Sequence, residues 1–157
     1  MGPPARSRPD HSPNWEQTGE AGMGSLARKT GKAALGYRQG YLRSPGWKKW
    51  RREYFESIRA QGVVPACQGC LAREDEVADG LDLHHMSYDG VREAPGGWSS
   101  REQAEDVVML CRGCHQKLHR LLDQPRSGWR GWDRRQASVV IIRRMRHQVR
   151  ERAKGNR

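Results

Sequence analysis

Apolar positions are sparse in this chain, and their spacing changes from one stretch to the next. Trp47, Trp50, Tyr54 and Ile58 recur at three- and four-residue steps, the repeat of one face of a helix. Ser44 before them is a helix cap, Pro45 suits a first turn and Gly62 is a natural stop, so the spacing predicts a helix over 45–60. Lys48, Lys49, Arg51, Arg52 and Arg59 cover much of its remaining surface. Leu81-Asp82-Leu83 alternates as a short strand should and delivers His84 and His85 at its end. A second apolar strand is predicted over Val107-Val108-Met109-Leu110, and the stretch from Ser87 to Glu105 reads as a long loop. From Cys114 the spacing turns helical through His115, Leu118, Leu121 and Leu122, and it must stop before Pro125. Asp133 and Gln136 form a capping-box pattern. Ile141, Met145 and Val149 at four-residue steps predict a helix from Ala137 to about Lys154, against the local strand preference of Val139-Val140-Ile141-Ile142. Residues 1–40 hold many Gly and Pro with little periodicity; a disordered basic tail is expected there, with no specific role for Trp15 or Tyr37.

Composition sharpens this into one small domain with tails: 1–40, then a core over 41–124, then a linker and basic segment over 125–157. At 35% hydrophobic residues and a mean hydropathy of -0.97, the 157-residue chain is too polar for one large core. A small core stapled by a metal fits better. The net charge of +11 points to a polyanionic partner, nucleic acid first and an acidic membrane surface second; the alternative is a merely solubilising surface. Arg outnumbers Lys 23 to 6, and arginine grips phosphate in a bidentate fork. The densest basic stretch carries Arg134, Arg135, Arg143, Arg144, Arg146 and Arg150, the candidate phosphate contacts. No apolar run of about 18 residues and no signal-peptide core occur, so no membrane span is expected and a cytoplasmic setting is.

All four cysteines fall in two knuckles, Cys67-x-x-Cys70 and Cys111-x-x-Cys114. Such pairs present four thiolates to one structural zinc, and their use in knuckles rather than singly argues for metal in a reducing compartment instead of disulfides. Four of the six histidines remain beside them, more than that ion can use. His115 and His119 are four apart on a predicted helix and share a face. His84 and His85 are adjacent on a strand and must point to opposite sides, so one of them can join a metal while the other faces substrate.

His84-His85-Met-Ser-Tyr88, followed by Glu105-Asp106-Val-Val-Met-Leu-Cys-Arg-Gly-Cys-His115-Gln-Lys-Leu-His119, resembles the HNH endonuclease motif in its zinc-knuckle form; the likeness spans roughly residues 41–122. The resemblance implies an α+β architecture, a small ββα-metal core clasping one catalytic divalent cation (Mg, Mn, Ni or Zn). An amphipathic helix would precede this core and a basic helix follow it. It implies His84, His115 and His119 as ligands of that cation, His85 as general base, and Asp106 at the place usually held by the Asn that orients the base. It implies DNA as partner, bound mainly through its backbone, with phosphodiester hydrolysis as the reaction, in a phage, restriction or mobile-element setting. Two rivals stand beside it: a non-catalytic zinc-binding nucleic-acid module, and a nuclease or partner of RNA.

Overall fold

The computed structural model describes residues 37, 39–94, 97–124, 128–129 and 131–155. It is a mixed α+β arrangement of two small antiparallel hairpins and three helices. His11, Trp15 and most of the expected tail lie outside the described residues.

Helix α1 covers Pro45–Ala60. Ser44 Oγ accepts from the Trp47 amide at 3.1 Å, Pro45 fills the first turn where no donor is needed, and Gly62, at φ 73°, ends the helix in a left-handed conformation. Trp47 and Phe55 are buried, with Trp50, Tyr54 and Ile58 partly so. Trp47, Trp50 and Tyr54 stack in a row, with centroids 5.5 and 5.3 Å apart. A single 3-10 turn, Tyr41–Arg43, leads into this helix, and Tyr41 is fully buried.

Strand β1, Leu81–His85, pairs antiparallel with a distant strand, Val107–Cys111, in the register Leu81 to Cys111 and His85 to Val107. Between them the expected loop is instead a second hairpin, β2 (Val91–Ala94) with β3 (Gly97–Ser100), so the Val107–Cys111 strand is β4. The insert escaped notice because Arg92-Glu93 and Ser99-Ser100 erase the apolar alternation that marks a strand. Helix α2, Arg112–Asp123, springs directly from β4. Pleating gives the β1–β4 hairpin two distinct faces. His84 points to α2, whereas His85 points to the aromatic layer of Tyr37, Tyr41 and Trp47.

Helix α3 covers Arg134–Gly155. Asp133 Oδ1 accepts from the Gln136 amide at 3.0 Å, which supplies one half of the expected capping box. Helix prevails over the strand preference of Val139 to Ile142 because Ala137, Ile141, Ile142 and Met145 lie along one side and enter the common core with Leu118 and Leu122. The basic C-terminal segment is therefore part of the packed body. No helix among the described residues is long and apolar enough to cross a membrane.

Truncation before Arg134 removes Ala137, Ile141, Ile142 and Met145 from the core at once. Circular dichroism melts of that truncated chain should lose the cooperative transition, and Ile142→Ala alone should lower stability by about 2–5 kcal/mol. A truncated chain that melts like the full one would remove α3 from the core.

Candidate metal centres

The knuckles meet across the hairpin. Gln68 donates its amide to Met109 O at 2.9 Å, which pins the first knuckle to β4, and Cys70 Sγ comes within 3.8 Å of Cys111 Sγ. One ligand atom from each of Cys67, Cys70, Cys111 and Cys114 falls within 4.8 Å of the others, an arrangement compatible with a metal site. Gly69 packs closely on the cluster: a Cβ there would stand 3.0 Å from Cys114 Sγ and 3.3 Å from Met145 Sδ, so both would have to give by a few tenths of an ångström. The metal-free thiols cannot all ionise together. A hydrogen bond from Cys114 first, then backbone amides, pull Cys67 down to about 4, while burial pushes Cys70 up to about 11 and the Cys67 contact raises Cys114. A divalent cation held by Cys67, Cys70, Cys111 and Cys114 would take the place of the missing protons and let four thiolates coexist, as zinc does in structural sites.

A second cluster lies one residue further along the same helix. His84 from β1 and His115 and His119 from α2 bring one donor atom each within 4.8 Å, with ring centroids 4.9–5.3 Å apart. The rings are braced for ligation. His115 Nδ1 donates to Asp82 Oδ2 at 3.0 Å and His119 Nδ1 to Asp123 Oδ2 at 3.1 Å, so Nε2 of each keeps a free lone pair. His84 Nδ1 is a buried nitrogen with no hydrogen-bond partner, while Ser138 Oγ lies 3.5 Å from its Nε2. An orphaned imidazole nitrogen beside two braced ones is what a cation site requires. Burial lowers His84 well below its usual range and also lowers His119, which favours the neutral, ligating form. His115 and His119 keep 25% and 37% of their side chains exposed, so the cluster is open to solvent on one side.

His85 does not face substrate space as expected. Its side chain is 2% exposed, stacked on Tyr88 and tilted against Trp47. Its Nδ1 meets the Tyr37 hydroxyl at 2.9 Å and its Nε2 meets Glu102 Oε1 at 3.0 Å. Glu102 thus makes the imidazole contact that the sequence suggested for Asp106. Asp106 instead binds Arg135 and accepts from the Gln103 amide at 2.8 Å, while its carbonyl extends the ladder to Met86 and Ser87. Glu102 is seated by Gly90, whose missing side chain admits the Arg101–Glu102 backbone; a Cβ there would lie 2.6 Å from Glu102 N.

The six arginines separate. Arg146 is buried, and its guanidinium donates to Gln68 O at 3.1 Å and to Gln68 Oε1 at 2.9 Å, so its expected role in nucleic-acid contact is corrected to tying α3 to the first knuckle. Arg135 is committed to Asp106 and Glu105 O. Arg143, Arg144 and Arg150 are exposed, and Arg144 lies over Trp129. Arg134 sits half-buried over Tyr88. Sequence reasoning missed Tyr37, Asp82, Glu102, Asp123 and Ser138. Two of these had a signal: Asp82 shares the strand face of His84, and Asp123 stands one helical turn past His119.

The enclosed carboxyl of Glu102 is raised to about 7, by burial first and by the charge of Asp106 next. Its proton therefore favours the folded chain; that stabilisation is complete below about pH 4 and is lost as pH rises through about 7. Glu102→Gln can still accept the His85 hydrogen bond without the buried charge. Its melting temperature should gain on the wild type between pH 5 and pH 8, and a pH-independent difference would refute the raised carboxyl.

Comparison of the chain with protein-family models, with curated proteins and with solved structures finds no match, so the geometry of the two centres carries the functional reading by itself.

Proposed function

We propose that this protein is a metal-dependent endonuclease that hydrolyses DNA phosphodiester bonds, built on an HNH-like ββα-metal unit of β1, β4 and α2. The supporting observation is the convergence of His84, His115 and His119, two of them braced by carboxylates, on a point that is open to solvent. Three protein ligands with an open side suit a catalytic cation, whereas the four-thiol cluster suits a closed structural one. Mg, Mn, Ni or Zn would act there as a Lewis acid on a phosphoryl oxygen and would stabilise the charge on the departing 3′ oxygen.

The residues of the chain do the rest. His85 is the general base in this reading. Glu102 accepts the Nε2–H hydrogen bond, which leaves Nδ1 as the proton acceptor, the atom to which the Tyr37 hydroxyl now donates. An attacking water would take the hydroxyl's place at Nδ1. His84 and His85 close β1, so a phosphate would have to bind at the strand end to meet both. Arg143, Arg144 and Arg150 line the exposed part of α3 and supply backbone affinity.

The enclosure of His85 favours one other reading, a zinc-binding nucleic-acid module in which this ring only supports the aromatic layer. A plasmid-nicking assay separates the two. The wild type should nick supercoiled DNA with Mg or Mn, and His85→Ala should lose at least about 10²-fold. DNA binding without metal-dependent nicking would leave the module reading standing. Cobalt titration should give two ions per wild-type chain and one for His119→Ala; a single ion in both would remove the histidine centre.

A further inference from the structure

We propose that Arg134 is the anion clamp of the three-histidine centre, holding a phosphodiester oxygen beside the cation. This rests on the phosphodiesterase reading above and names the residue that would recognise its substrate.

Placement comes first. Arg134 and Ser138 are four apart on α3 and share a face, and Ser138 Oγ lies 3.5 Å from His84 Nε2. Arg134 therefore stands one turn before the residue that touches a ligand imidazole. Its guanidinium is tethered twice: Nε donates to His85 O at 3.3 Å, and the group lies 5.1 Å from the Tyr88 ring centroid. Among the described residues these contacts use Nε and the π face, which leaves the two Nη groups to donate elsewhere. None of the other five arginines is recorded in contact with His84 or its strand. Arg135 is held by Asp106, Arg146 by Gln68, and Arg143, Arg144 and Arg150 lie on the exposed surface.

Charge gives the second argument. All three candidate ligands are imidazoles, so they bring no negative charge to a divalent cation. Arg134 adds a permanent positive charge at the carbonyl of His85, the neighbour of His84 on the strand. Asp82 and Asp123 offset part of this through the ring hydrogen bonds. The excess is positive and calls for an anion. A phosphodiester has two non-bridging oxygens, one for the cation and one for a guanidinium donor. The arrangement has a signature that a scaffolding residue lacks. Without anion, Arg134 repels the cation and weakens its binding; with anion, it strengthens the ternary complex.

Arg134→Gln keeps a side chain that can cover Tyr88 and removes the charge, and Arg134→Lys keeps the charge and loses the fork. Chelator competition reads divalent-ion affinity, and phosphorus NMR relaxation reads binding of dimethyl phosphate to the cobalt-loaded full chain, with His119→Ala as the blank. Arg134→Gln should bind the ion as tightly as the wild type or more tightly, and dimethyl phosphate at least about 10-fold more weakly, with Arg134→Lys between. Loss of ion affinity and phosphate affinity together, wild-type phosphate binding in Arg134→Gln, or no phosphate binding by the wild type would each overturn the proposal. Arg134-dependent phosphate binding in a wild type that nicks no DNA would uphold the clamp and sink the nuclease reading.

Discussion

Four sulfurs from segments 41 residues apart must share one small volume, and the rest of the structure depends on that meeting. Metal-free, the thiols are drawn in opposite directions: the Cys114 hydrogen bond lowers Cys67 while burial raises Cys70. A cation bound there would turn mutual repulsion into a cross-link, and its binding energy would become folding energy in a chain whose apolar core is small. The consequence passes directly to the histidines. Cys114 and His115 are neighbours in the first turn of α2, so whatever fixes the second knuckle fixes the direction in which His115 and His119 leave the helix. Cys114 of the scaffold and His115 of the open centre share one helical turn, so disorder in the second knuckle would disturb the histidine cluster as well.

Pleating then divides the hairpin chemically. His84 and His85 differ by one position, yet the His84 ring, its Nδ1 without a hydrogen-bond partner, meets the rings of His115 and His119, and His85 is enclosed by Tyr37, Tyr41, Trp47 and Tyr88. A register slip of one residue would exchange these environments. Three contacts guard the register: Gln68 on Met109 O, Met86 on Asp106 O, and Arg51 on Leu81 O. Helix α3 adds a clasp that touches both centres, through Ser138 and Arg134 at one end and Met145 and Arg146 at the other.

The readable parts of the sequence were those with short-range rules. The span of α1 followed from Ser44, Pro45, the aromatic spacing and Gly62, and both long-range partners of the β1–β4 hairpin were visible as short apolar runs. The cysteine cluster was legible because two knuckles admit few other uses. Pleat and helical repeat put one of His84 and His85 with His115 and His119; the resemblance named His84, and His84 is the one that clusters with them. What stayed hidden was set by tertiary contact. Nothing local marks Glu102 as the partner of His85, because Gly90 brings it there by close backbone approach. Tyr37 sits in a stretch whose composition predicts disorder, and only the aromatic layer makes it a buried residue. Arg146 looked like its exposed neighbours, since sequence cannot tell which arginine of a basic helix faces Gln68.

The enclosure of His85 sets what would have to move before its ring could meet a substrate. Its acceptor nitrogen is covered by one hydroxyl, from Tyr37, and by the ring that carries it. Replacing a hydrogen bond of that kind costs about 0.5–1.5 kcal/mol, and exposing the ring costs roughly 1.5–3 kcal/mol more. Micromolar binding of a nucleic acid releases about 8 kcal/mol, more than enough to drive the exchange. The Glu102 contact is different in kind, because losing it would leave a buried carboxyl without its imidazole. Tyr37 is thus the cheaper side of the cage to open, and the side from which a water would reach the ring. Under the base reading proposed above, substrate would have to displace Tyr37 to reach His85, while without substrate the ring is held by Tyr37 and Glu102.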